Sequence, residues 1–169
     1  MNWLIISVIA YLFFAVVFII DRILLTKSIP NPLVYAFYVG GLSILVFFLA
    51  PFGLILPGAS QILIALLTGL LYIAALIAFY SALQKYEASR VVPMVGSLVP
   101  IFTLVLSYLL LNERLTLWQI IAFLILVIGG IFISLEKGTF GYLIKSWGLV
   151  FLAAFFFGLF YVLTKYVYS

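Results

Sequence analysis

The sequence predicts an all-α membrane protein, a polytopic bundle of six transmembrane helices. Three observations predict it. Hydrophobic residues make up 69% of the 169 and charged residues 7%, whereas soluble domains carry about 45–50% and 25%. Lipid must therefore be the solvent for most of this surface. The 8 basic and 4 acidic residues stand in short groups that leave uncharged runs at 1–20, 28–84, 91–112, 115–135 and 146–164. About 20 apolar residues cross a bilayer as a helix, so four of these runs are one span each. The run 28–84, with 57 residues, holds two spans divided at Pro51-Phe52-Gly53 and Pro57-Gly58, where proline and glycine permit a turn.

The six helices are expected at about 3–20, 32–50, 60–83, 90–111, 116–134 and 147–168. The first lacks a basic leading region and a small-residue cleavage site, so it is read as a retained helix and not a signal peptide. The second opens with Asn31-Pro32, a capping acceptor before a proline suited to the first helical position. Ser60 is the expected cap of the third. The fourth carries Pro93, Gly96, Ser97, Pro100, Thr103 and Ser107, at spacings that share one stripe. Thr116 with Gln119 forms a capping box for the fifth. The sixth carries Phe151, Ala154, Gly158, Tyr161 and Lys165 on one face, and Ala154 with Gly158 suits close helix association.

Cysteine and histidine are both absent. That removes disulfides, thiolate and imidazole metal sites and every nucleophile-plus-histidine arrangement, so no metal, catalytic residue or cofactor is expected. The acids Asp21, Glu87, Glu113 and Glu136 all lie near span ends, which leaves an intramembrane enzyme few means of acid–base chemistry. The scattered bases form no stripe for nucleic acid. They do set an orientation: the loops after helices one, three and five hold Arg22, Lys27, Lys85, Arg90, Lys137 and Lys145, and the other side holds Arg114 and Lys165. Positive-inside bias puts the first side in the cytoplasm, and both termini outside, of a membrane expected to be the plasma (inner) membrane.

The end of the chain echoes its beginning. Residues 10–15 (AYLFFA) align with 153–158 (AAFFFG) at an offset of 143, which also places Arg22 on Lys165. Any two aromatic-rich spans share some likeness. If the echo marks a repeat, five helices form one unit, and an odd number inserts the next copy upside down, an architecture that holds substrate between repeats.

The stretch from Arg90 to Gln119, RVVPMVGSLVPIFTLVLSYLLLNERLTLWQ, resembles the EamA domain of the drug/metabolite transporter superfamily. Tyr86, Ala88 and Ser89 ahead of the fourth helix, Pro100 within it, Glu113 just after it, and Thr116, Gln119, Gly129 and Gly130 in the fifth match that family's pattern. The resemblance implies a five-helix repeat over 1–135, a loop at 136–146 and the first helix of an incomplete second repeat at 147–169. Asn112 stands where the family has glycine, and asparagine also tolerates a left-handed turn. Ala122 replaces another family glycine. The family has ten helices and a cytoplasmic amino end, opposite to the charge count.

The resemblance implies a transporter, or half of one, that moves small organic metabolites by alternating access. The alternative is a non-transporting interaction subunit, or a fragment that needs a partner half. Partners are then the bilayer, a small-molecule substrate, and a second copy or a missing second half. The expected cavity lies beside helices one, three and four, lined by Tyr11, Tyr72, Pro93, Gly96, Ser97, Pro100 and Thr103. Prolines free backbone carbonyls, and buried tyrosine hydroxyls seek partners. The same stripe also suits close packing of kinked helices. Tyr80 is expected in an interfacial aromatic belt. Glu113 is read as structural, favoured by the nearby start of helix five. Asp21 and Arg22 are read as an interfacial or gating group at the end of helix one. No ionisable group lies at mid-span, which argues against proton antiport through a central carboxylate.

Overall fold

The computed structural model describes residues 2–52, 58–112, 116–134 and 140–168. Within them the chain is an all-α bundle: α1 (Asn2–Lys27), α2 (Pro32–Leu42) continued by a 3₁₀ segment (Ser43–Phe52), α3 (Ala59–Lys85), α4 (Ala88–Leu111), α5 (Leu117–Ser134) and α6 (Phe140–Tyr168). Four helices, α1, α3, α4 and α6, are long and apolar enough to cross a membrane, and α2 and α5 are shorter apolar helices. Six spans nevertheless remain geometrically available. The 3₁₀ form rises about 2.0 Å per residue against 1.5 Å in an α-helix, so α2 with its extension reaches about 36 Å, beyond the roughly 30 Å hydrocarbon core.

Local chemistry explains most helix ends. Asn31 accepts from the backbone N–H of Leu33 at 3.0 Å and of Val34 at 3.4 Å, and Pro32 fills the first helical position. The third helix is capped differently from expectation. Gly58 is its N-cap, and its N–H donates to Gln61 Oε1 at 2.9 Å; Ser60 already lies inside the helix. At α5, Gln119 Oε1 accepts from the Thr116 N–H at 2.9 Å and from the Thr116 hydroxyl at 3.0 Å. Asn112 ends α4 in the left-handed region, φ 53° and ψ 27°, so the asparagine does what glycine does elsewhere.

Two ends differ from the charge pattern. The first helix does not stop at Asp21 but runs on to Lys27, because Asp21 and Arg22 find partners on neighbouring helices. The sixth begins at Phe140, inside the stretch read as a loop at 136–146.

Helices α3 and α4 make little direct contact, because α6 packs along both. α5 packs on α4, α2 on α3, and α1 chiefly on α3. Directions follow from two contacts. Arg22 near the end of α1 reaches carbonyls at the end of α3, so those two helices run the same way. Gln61 at the start of α3 donates to the Val167 carbonyl at the end of α6, at 3.4 Å, so α6 runs opposite to both. The core gathers Leu25, Tyr35, Ala36, Phe79, Leu83, Val91, Val150, Ala153 and Ala154 between these helices. The outer faces of α1, α2 and α5 present their large apolar side chains outward, which suits a lipid solvent.

Candidate functional site

Two places on the bundle concentrate polar groups: the interior stripe of α4, and the end of the bundle where α1, α2 and α3 meet.

The α4 stripe divides between two neighbours. On one side, Ser97 is 3% exposed and faces α5 so closely that a Cβ built on Gly130 would stand 2.5 Å from Ser97 Cβ and 3.4 Å from the Pro93 carbonyl oxygen. On the other, a Cβ on Gly158 of α6 would stand 2.7 Å from Phe102 Cβ and 3.1 Å from the Thr103 nitrogen. Glycine at both positions lets the backbones approach, the way membrane helices associate without a hydrophobic driving force. Phe102 also lies edge-on to Phe151 and Phe155 of α6, with centroids 5.3 Å and 5.6 Å apart. Two hydroxyls of the stripe bond within their own helix: Ser97 donates to the Met94 carbonyl at 2.9 Å, and Thr103 to the Val99 carbonyl at 2.9 Å. Pro93 and Pro100 have no N–H to give to the carbonyls of Ser89 and Gly96, and Gly96 is exposed.

Tyr72 of α3 packs against Phe157 and Phe160 of α6, with centroids 6.1 Å and 4.8 Å apart. Tyr11 stands apart from this group. It is 74% exposed on the outer half of α1, with Phe14 beside it at 6.5 Å. The structure thus gathers Tyr72, Pro93, Ser97 and Thr103 along the contacts of α3 and α4 with α5 and α6. Glu113 lies outside the described residues.

The second place holds Asp21 and Arg22, which the sequence predicts as an interfacial or gating group at the end of helix one. Asp21 is 6% exposed, and the Tyr35 hydroxyl of α2 donates to its Oδ1 at 2.6 Å. Arg22 does not pair with it. Successive residues of a helix point about 100° apart, and the Arg22 guanidinium turns to the end of α3, donating to the Leu83 carbonyl at 3.1 Å and to the Tyr86 carbonyl. It thereby serves carbonyls that the helix itself leaves unsatisfied. Gln84 Nε2 donates to the Pro30 carbonyl at 2.6 Å, fastening the α1–α2 turn to the same end. Tyr80 is also buried here, its ring edge-on to Tyr35 at 4.8 Å, and so is not an interfacial belt residue. Sequence could not reveal this cluster, because its members come from three helices with no fixed spacing. The one available signal was a pair of charges inside an otherwise apolar helix.

The profile of the EamA-like transporter family matches residues 1–135, most of the chain. The chain belongs to the EamA-like transporter family. It is also similar to an uncharacterised protein of Methanocaldococcus jannaschii, 38% identical over 73 residues. That segment is 43% of this chain and 53% of the relative, so the match spans about half of the relative's length, and the relative is the shorter chain. No solved structure matches. Membership and the long apolar helices make the chain an integral membrane protein.

Proposed function

We propose that this EamA chain moves small organic solutes across the membrane by alternating access, as one half of a transporter completed by a second copy or a separate half. The observation that supports this most is the place of α6. The helix whose sequence echoes α1 runs opposite to it and sits between α3 and α4 against glycine and alanine contacts. An inverted copy of the first helix packed inside the bundle is what a transporter built from inverted repeats would have.

The solute path runs along the α4 stripe, Pro93, Gly96, Ser97, Pro100 and Thr103, with Tyr72 of α3 on the far side of α6, against Phe157 and Phe160, and without Tyr11, which stands exposed on α1. These positions carry no charge. Hydroxyls and proline-freed carbonyls favour neutral, zwitterionic or amphipathic solutes, since a buried ion without a counter-charge is costly. The end bearing Arg22, Lys27, Lys85 and Arg90 faces the cytoplasm of the plasma membrane.

The test is uptake into proteoliposomes with a panel of zwitterionic and neutral metabolites. Ser97→Ala and Pro100→Ala should each lower uptake several-fold while the protein still inserts. Unchanged uptake in both would remove the assignment of the path. A stable, inserted dimer with no uptake of any solute would favour the interaction-subunit reading instead.

A further inference from the structure

We propose that Asp21 and Tyr35 form a proton-binding site, in which the Asp21 carboxyl holds a proton while α2 is docked and releases it when α2 moves away. Asp21 lies six residues before the end of α1, about 9 Å into the helix at 1.5 Å per residue. It is 6% exposed, and its hydrogen-bond partner among the described residues is the Tyr35 hydroxyl at 2.6 Å.

Among the described residues, the charged and titratable groups of the surrounding elements leave it without a counter-ion. On α1, Arg22 is spent on the Leu83 and Tyr86 carbonyls of α3. α2 brings Tyr35. α3 brings Tyr80, edge-on to the Tyr35 ring, then Tyr72 further along; Lys85 at its end is exposed. α4, which also touches α1, starts with Glu87 and Arg90, ion-paired with each other at 3.4 Å.

Helix ends do not supply the missing counter-charge. α1 and α3 direct their negative C-terminal ends toward this side of the bundle, against the positive starts of α2 and α4, and the first N–H groups of α2 are already taken by Asn31. An ionised carboxylate here would depend on one phenolic donor. Ionisable groups buried in a membrane bundle without such compensation mark proton or substrate pathways. The step is a simple exchange. The carboxyl O–H bond breaks, its electron pair stays on the carboxylate, and the proton passes to water that enters as α2 separates. The Tyr35 O–H stays intact: it donates to Asp21 while α2 is docked and to water once α2 separates.

The site itself does not require the transporter reading; only its use in coupling does. The chain has four side-chain carboxyls, so infrared spectroscopy of the full chain in nanodiscs can assign each. At neutral pH the wild type should show a carboxylic-acid carbonyl band that Asp21→Asn removes and Tyr35→Phe shifts. Identical spectra for wild type and Asp21→Asn would overturn the proposal. If Asp21→Asn fails to insert, Tyr35→Phe decides alone: no shift of any protonated-carboxyl band overturns it. A band that responds to sodium and not to pH also overturns it. In proteoliposomes, an imposed proton gradient should drive uptake by the wild type and not by Asp21→Asn. The band intact without any uptake would reject the transporter reading and keep the site; uptake without the band would reject only the site.

Discussion

At the scale of single residues, close backbone approach is the feature most exposed to test. A methyl at position 158 would meet Phe102 Cβ at 2.7 Å and one at 130 would meet Ser97 Cβ at 2.5 Å, and neither obstacle is the far end of a flexible side chain. Gly158→Ala and Gly130→Ala should each destabilise the bundle by about 1–3 kcal/mol, the usual cost of overpacking, read as a lower unfolding midpoint in detergent. Gly129→Ala is the control: its Cβ meets nothing within 4 Å, so stability should hold. Ser97→Gly should recover part of what Gly130→Ala loses, since it removes the atoms in the way. Arg22 makes a different prediction. Arg22→Gln gives up the guanidinium that serves two α3 carbonyls. Charge-assisted bonds of this kind contribute about 1.5–3 kcal/mol, so its unfolding midpoint should fall, and Lys at 22 should restore only part of it, because the planar fork is lost.

At the scale of elements, helix ends were largely legible. The Asn31-Pro32 start and the Thr116–Gln119 start are fixed by side chains within three residues of the end they serve, and such bonds are written in sequence spacing. Asn112 belongs with them: its φ of 53° costs a β-carbon-bearing residue without a local polar bond about 1–2 kcal/mol. Asn112→Ala should therefore destabilise the α4–α5 corner by about 1 kcal/mol, and Asn112→Gly should be neutral or better by thermal denaturation. The cap of α3 escaped the reading, because Gly58 is held by Gln61 and not by a side chain of its own. The end of α1 escaped it too. Charges in an apolar run mark the water boundary by pattern alone, yet Asp21 and Arg22 are satisfied by α2 and α3 and let the helix continue to Lys27.

At the scale of the whole molecule, orientation and assembly are the open measurements. The chain has no cysteine, so single cysteines at Lys27 and Asn112 can be labelled against a clean background. With the basic end in the cytoplasm, an impermeant thiol reagent added outside intact cells should label Asn112→Cys and spare Lys27→Cys; the reverse pattern would place the amino end in the cytoplasm. The mass of the protein in nanodiscs, alone and crosslinked, should be that of a dimer if a second copy completes the transporter.

Some properties of this protein needed only the sequence: that it is helical, that it lives in lipid, where most helices begin, and that it belongs among EamA transporters. Each depends on composition or on residues close together in the chain. The tertiary structure decided which apolar residues face lipid and which face protein. The echoed segments show why. Tyr11 and Ala15 are exposed on α1, whereas their counterparts Ala154 and Gly158 are buried on α6. Lipid and a neighbouring helix are equally apolar, so hydrophobic pattern cannot tell them apart. Only the path of α6 between α3 and α4 does that, and only the meeting of three helices turns Asp21 from a boundary charge into a buried carboxyl.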